Sequence, residues 1–144
     1  MLVQQILGSK AGQGIMWVKP DALVSEAARI MSANRIGTVV VSNDGTALIG
    51  ILSERDIVRE LGRDGSECLS KTVDMLMTSK VTRCTVSDTA DGVLQTMTEG
   101  RFRHLPVMDG ETMIGLISIG DVVKARLSEL SMEKDALEGM IMGH

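Results

Sequence analysis

Apolar and polar positions alternate along the chain in a pattern that runs through the same series of elements twice. Pro20-Asp21 precedes a stretch from Leu23 to Asn34 in which Leu23, Ala27, Ile30 and Met31 recur at three- and four-residue spacing, the period of a helix with one buried face. Thr38 to Ser42 is a β-branched run and reads as a strand. Asn43-Asp44-Gly45 has hairpin-turn chemistry, and Ala47 to Leu52 is the returning strand. Ser53 caps a helix expected to run to about Leu61 and stop at Gly62.

After a polar linker around Arg63-Asp64-Gly65-Ser66-Glu67, Thr72 to Met77 reads as a short helix opening the second copy. A helix from about Ala90 to Glu99 turns Val93, Leu94 and Met97 inward and ends at Gly100. Strands follow at His104–Met108 and Met113–Ile117 around Asp109-Gly110. A last helix starts near Gly120 and continues past Leu130 towards Met140.

The duplication is also literal. Gly50-Ile51-Leu52-Ser53-Glu54-Arg55-Asp56-Ile57-Val58 and Gly115-Leu116-Ile117-Ser118-Ile119-Gly120-Asp121-Val122-Val123 share one pattern: glycine, two aliphatics, serine, two variable positions, aspartate, an aliphatic and valine. Upstream, Met31–Ile36 matches Met97–Phe102, with one residue lost from the second hairpin loop. Internal repeats outrank other signals in assigning architecture. The expected division is repeat 1 over 1–62, a linker over 63–71, repeat 2 over 72–130 and a helical extension over 131–144. The fold class is α+β. One copy is too small to bury its apolar faces well, so two copies sharing a core in a pseudo-twofold pair, each with a small sheet flanked by helices, is the expected arrangement.

Composition narrows the function. Hydrophobic residues make up 44% of the 144 and charged residues 24%, with a net charge of -4. Nucleic-acid binders carry a basic face or stacking aromatics. Here the charges are interspersed, and Trp17 and Phe102 are the only aromatics. No apolar run has the length of a membrane span, and the first residues lack signal-peptide features, so no membrane contact and a cytoplasmic location are expected. Eleven methionines suit a core built with few aromatics, or alternatively a Met-rich partner surface. Cys68 and Cys84 lack metal or redox spacing and are expected to stay reduced. His104 is the only histidine besides terminal His144. No catalytic triad, metal cluster or P-loop is visible, so an enzyme is the last reading.

The segment Phe102-Arg103-His104-Leu105-Pro106-Val107 and the duplicated serine–aspartate stretches resemble the CBS (cystathionine β-synthase) domain family. In that family tandem repeats form a Bateman module. The resemblance runs roughly from Val3 to Leu130. It implies a ribose site at Ser53 and Asp56 in one repeat and at Ser118 and Asp121 in the other. It also implies that the residues before Pro106-Val107 line the adenine and phosphate parts of a cleft.

The chemistry is compatible. A carboxylate accepts hydrogen bonds from both ribose hydroxyls, and a helix N-terminus offers free N–H groups to an anion. Ile36, Leu52, Phe102 and Ile117 are candidates for the adenine slot. Arg103 and His104 are the phosphate candidates of the second repeat, where the first has Gly37 and Thr38; Arg55 adds a cation to the first. Lys19 and Thr85 are weaker adenine-side candidates, and Arg35 and Arg101 are read as closing their helices. The competing reading makes both serine–aspartate pairs plain helix caps, with Arg103 and Arg55 as solvated charges and His104 as a strand residue.

The leading expectation is a regulatory adenine-nucleotide module that requires no cofactor. AMP is the first ligand, with ATP, ADP or NAD(H) behind it, and the signal passes by population shift to an unidentified protein partner. The alternatives are a structural dimerisation module with degenerate clefts and an S-adenosylmethionine-binding module. A homodimer is expected because Val58, Leu61, Val122, Val123, Leu127, Leu130, Met132, Leu137 and Met140 form an apolar stripe that one chain does not cover.

Overall fold

Val39, Val40 and Val41 are wholly buried and form the middle of a three-stranded sheet in the computed structural model, which describes residues 1–10 and 14–142. β-branched side chains favour such a strand because they pack well on a pleated, buried surface. Strand β2 (Thr38–Val41) pairs in parallel with β1 (Trp17–Val18) and antiparallel with β3 (Gly50–Ser53), with Thr38 opposite Ser53 and Val39 opposite Leu52. The returning strand starts at Gly50, later than its expected start at Ala47. The Asp44 carboxylate accepts from the backbone N–H groups of Thr46 and Ala47 at 2.9 Å each, which prolongs the turn. The same bonds, that from Ala47 foremost, push the Asp44 pKa down to about 2.

The remaining elements are α1 (Val3–Ser9), α2 (Val24–Asn34), α3 (Glu54–Asp64), a 3-10 segment (Gly65–Ser70) and α4 (Val73–Leu76). Then come α5 (Ala90–Gly100), the hairpin β4 (His104–Asp109) and β5 (Thr112–Ser118), and α6 (Ile119–Ile141). Helix α2 is phased one residue from its expected face. Leu23 is its exposed N-cap, and Val24, Ala27 and Met31 are buried.

Gly62 does not end a helix, whereas Gly100 is the last residue of α5. Helix α3 runs on to Asp64, and Gly65 turns the chain at φ +71°. Helix α5 closes at Arg101 in the left-handed region (φ 58°), as α2 does at Arg35 (φ 53°). Gly100 serves packing: a Cβ there would fall 2.1 Å from the Phe102 ring, which folds back over it.

The chain divides into two compact units, the described parts of Gly14–Thr82 with Asp109–Ile114, and those of Met1–Gln13, Arg83–Met108 and Gly115–His144. In the first, Val18, Val24, Val39, Leu52, Ile57 and Val73 belong to one apolar cluster. In the second, Val3, Ile6, Met97, Leu105, Ile117 and Val122 belong to another. Two segments therefore pack elsewhere than the repeat suggests. Helix α1 belongs with the second repeat, through Val3 and Ile6 in its core and through Val3 N–H to Asp88 O at 2.9 Å. Helix α4, expected to open the second repeat, buries Val73 and Leu76 in the first. The expected linker is largely the 3-10 segment, with Cys68 fully buried. Helix α6 reaches Ile141 as expected, while Gly143 and His144 lie outside the described residues.

Candidate functional site

In both units a strand–helix junction is held by the residue that enters the sheet two strands' length earlier. The Glu54 N–H donates to Gly37 O at 2.8 Å, and the Ile119 N–H donates to Arg103 O at 2.8 Å. These matching bonds bring Gly37 and Thr38 beside Ser53 and Asp56, and Arg103 and His104 beside Ser118 and Asp121. Both serines are also N-caps with reciprocal bonds. The Asp56 N–H donates to Ser53 Oγ at 3.3 Å and the Ser53 N–H to Asp56 Oδ2 at 2.9 Å. The Asp121 N–H donates to Ser118 Oγ at 3.1 Å and the Ser118 N–H to Asp121 Oδ2 at 2.8 Å. The capping geometry is thus present in both repeats.

The two carboxylates differ in their surroundings. Asp56 is 5% exposed, and both its oxygens are engaged. Oδ2 accepts from Ser53 Oγ at 3.1 Å, and Oδ1 accepts from Arg59 Nη2 at 2.8 Å. The cation at this carboxylate is Arg59, one helical turn on; Arg55, expected at the phosphate, is exposed on the first turn of α3. Asp121 is half-buried, and the Lys10 ammonium lies 2.8 Å from its Oδ2. Burial opposes its charge, but the Lys10 and Ser118 bonds prevail and hold its pKa below the ordinary value.

His104 is half-buried at the start of β4, and its Nδ1 is a buried polar atom without a hydrogen-bond partner. Burial lowers its pKa from the usual 6.5; the Lys10 and Arg103 charges act in the same direction and Asp121 opposes them. The folded chain therefore holds this imidazole neutral where the unfolded chain would protonate it. Stability should be complete above 6.5 and fall as pH drops below that value through the lowered folded pKa. In urea unfolding at neutral pH and at about pH 5, His104→Gln should lose less stability on acidification than the parent. Equal losses would place the sensitivity elsewhere.

The expected adenine-slot residues separate. Leu52 and Ile117 are 0% exposed and belong to the two cores, so their side chains form no slot wall. They sit at the buried positions of β3 and β5, which alternate with more exposed ones. Phe102 is exposed beside Arg103, and Thr38 is buried in β2. Ile36 and Gly37 line a cavity of about 510 Å³ between α2 and α3, together with Met31, Arg35, Glu54 and Ile57. A Cβ at Gly37 would come within 3.0 Å of the Glu54 carboxyl carbon, so an acid stands where the second repeat carries Arg103. Lys19 is exposed in the turn before α2, its carbonyl accepting from the Ala22 N–H at 3.1 Å. Thr85 is exposed as well, with its hydroxyl 3.1 Å from that of Ser87.

Lys10 was not among the candidates from sequence. The one signal for it is the spacing of Val3, Leu7 and Lys10, which puts the lysine on the buried side of α1. Nothing in that spacing reveals a partner more than a hundred residues away. Cys68 and Cys84 are unpaired and buried, and burial pushes the Cys84 thiol up to about 12. Among the described residues no cluster of three or more potential metal ligands occurs, and no helix is long and apolar enough to cross a membrane.

Comparison with known proteins finds the CBS domain family model matching twice, over residues 12–63 and 73–128. The chain is 34% identical over 145 residues to the mitochondrial CBS domain-containing protein CBSX3 of Arabidopsis thaliana, covering 98% of this chain and 70% of that protein. A crystal structure of a CBS-domain containing protein from Agrobacterium tumefaciens matches with a TM-score of 0.82 and 41% identity, covering 88% of this chain and 99% of that one. A crystal structure of CBSX2 in complex with AMP matches with a TM-score of 0.69 and 29% identity, covering 81% and 90%.

Proposed function

The chain belongs to the CBS domain family, and from that membership we propose that it is a regulatory module whose second repeat binds an adenine nucleotide, AMP first among them. The observation that carries this reading is the unpartnered, buried His104 Nδ1 beside the Asp121 carboxylate. Buried polar atoms are nearly always satisfied, and an orphan in a polar cluster calls for a missing partner. In the proposed complex the ribose hydroxyls donate to Asp121, Ser118 supports them from the helix N-terminus, and Arg103 and His104 face the phosphate. Phe102, exposed next to them, covers part of the base. The AMP complex of CBSX2 supports the ligand class. The first repeat is the weaker site, because Asp56 is already committed to Arg59 and Glu54 lies against Gly37.

The module acts on a protein partner by population shift, since a ligand favouring one arrangement biases what the partner meets. It works as a homodimer. Val58 and Leu61 in the first unit, and Val123, Leu127, Leu130, Met132, Leu137 and Met140 in the second, are exposed, and a self-complementary contact would cover such apolar residues. Val122, counted in that stripe from the sequence, is instead fully buried in the second core.

Calorimetric titration of the chain with AMP, ADP, ATP, NADH and S-adenosylmethionine, with light scattering on the same samples, is the test. AMP binding by a dimer is the expected result. Silence towards every ligand would overturn the nucleotide reading and favour a purely structural module; a monomer mass would remove the dimer.

A further inference from the structure

Lys10 is not a loose surface lysine. Helix α1 is set against β5, where a Cβ at Gly115 would come within 2.6 Å of the Leu7 side chain, so the glycine lets Leu7 pack closely there. The backbone of α1 is tied as well, by Val3 N–H to Asp88 O at 2.9 Å and Gln4 N–H to Val86 O at 3.0 Å. Lys10 follows directly as the C-cap of this helix. Its ammonium donates to Leu116 O at 2.9 Å and to Asp121 Oδ2 at 2.8 Å. The side chain is 23% exposed and that of Asp121 25%, so the pair is partly shielded from water and ions.

Asp121 is the carboxylate assigned above to the ribose, and the present inference rests on that assignment. We propose that Lys10 is a specificity-determining residue of the second repeat's cleft, selecting adenosyl ligands that carry an anionic phosphate against those that do not. The argument is one of competition. Ribose hydroxyls reaching Asp121 must share it with the ammonium or displace it. A neutral nucleoside leaves the displaced ammonium without its charged partner, and a sulfonium adds a second cation to it. A phosphate gives the ammonium a new partner within reach of a four-carbon stem with three rotatable donors. Arg103, beside the same carboxylate, reinforces that bias, and His104 adds no charge while neutral. The first repeat is arranged differently: its carboxylate is paired with Arg59 from the same helix, by a contact within one turn.

The test is titration of the full chain and of Lys10→Met with AMP, adenosine and S-adenosylmethionine. In the parent AMP should bind best. In Lys10→Met, AMP should bind about tenfold more weakly, because a charge-assisted bond is lost. Adenosine and S-adenosylmethionine should bind more tightly, because the competitor is gone. Lys10→Arg should keep the parent's preference. A lysine that merely orients Asp121 would weaken all three ligands alike, and an unchanged AMP-to-adenosine ratio in Lys10→Met overturns the inference. Lys10→Gln provides the same comparison if the methionine variant melts too low to titrate. A parent that binds AMP no better than adenosine also overturns the inference and removes phosphate recognition from the ligand reading, leaving only the adenosyl part of it. A parent that binds none of the three removes the reading and the inference together.

Discussion

Asp121→Ala should weaken AMP binding by about 1.5–3 kcal/mol, roughly ten- to a hundredfold, while the chain still folds. The carboxylate is the acceptor proposed for both ribose hydroxyls, and a charged hydrogen-bond partner of this kind is the costliest single polar group to remove from a site. Its removal also has a structural effect. The Ser118 N–H loses its acceptor at 2.8 Å, and Lys10 loses its carboxylate. Loss of this half of the capping box should lower ligand-free stability by about 1 kcal/mol. The two roles separate by measurement, because affinity comes from calorimetry and stability from melting without ligand. A lower melting temperature with unchanged AMP affinity would reduce the pair to a cap and remove the ribose role. Asp121→Asn keeps the shape and one acceptor oxygen, and should fall between parent and alanine in affinity.

The duplicated serine–aspartate spacing was legible because capping chemistry is local: three residues separate the donor and acceptor, and both repeats realise the bond in the same way. The hairpin turns and the length of α6 were legible for the same reason. What distinguishes the two clefts was not. Arg59 and Lys10 reach Asp56 and Asp121 from one helical turn away and from the other end of the chain, respectively. The first was not among the candidates, Arg55 having been read for the phosphate instead. The second depends on α1 crossing to the second repeat's core, a pairing with no trace in the hydrophobic pattern. The end of α3 was misjudged where Gly62 was taken as a stop, while α5 does end at Gly100. Arg35 and Arg101 adopt the left-handed conformation themselves, and Gly100 is needed for the close approach of Phe102. Leu23 and Val24 show how one apolar neighbour too many leaves a helix face undetermined by a residue.

Leu52→Ala should cost about 2–5 kcal/mol of stability, the range for deleting most of a fully buried aliphatic side chain. The position was read as an adenine-slot wall, whereas β3 alternates buried and half-buried residues and puts Leu52 on its buried face. In the fold Leu52 stands opposite Val39 in β3 and is 0% exposed, in the cluster that also holds Val24, Ala27 and Ile57. These neighbours come from α2, β2 and α3, elements whose backbones are tied by their own hydrogen bonds, so the hole left by the truncation cannot fully collapse. Against a total of about 5–15 kcal/mol for a native domain, a loss of this size moves the urea midpoint by a large fraction of its value. The slope of the transition should stay unchanged if the folded state keeps its compactness. AMP affinity, measured at a temperature where the variant remains folded, should stay near the parent's, because the ligand is assigned to the second repeat and Leu52 lies in the core of the first. Preserved stability with lost affinity would return Leu52 to the cleft and reverse the assignment of the strand's faces.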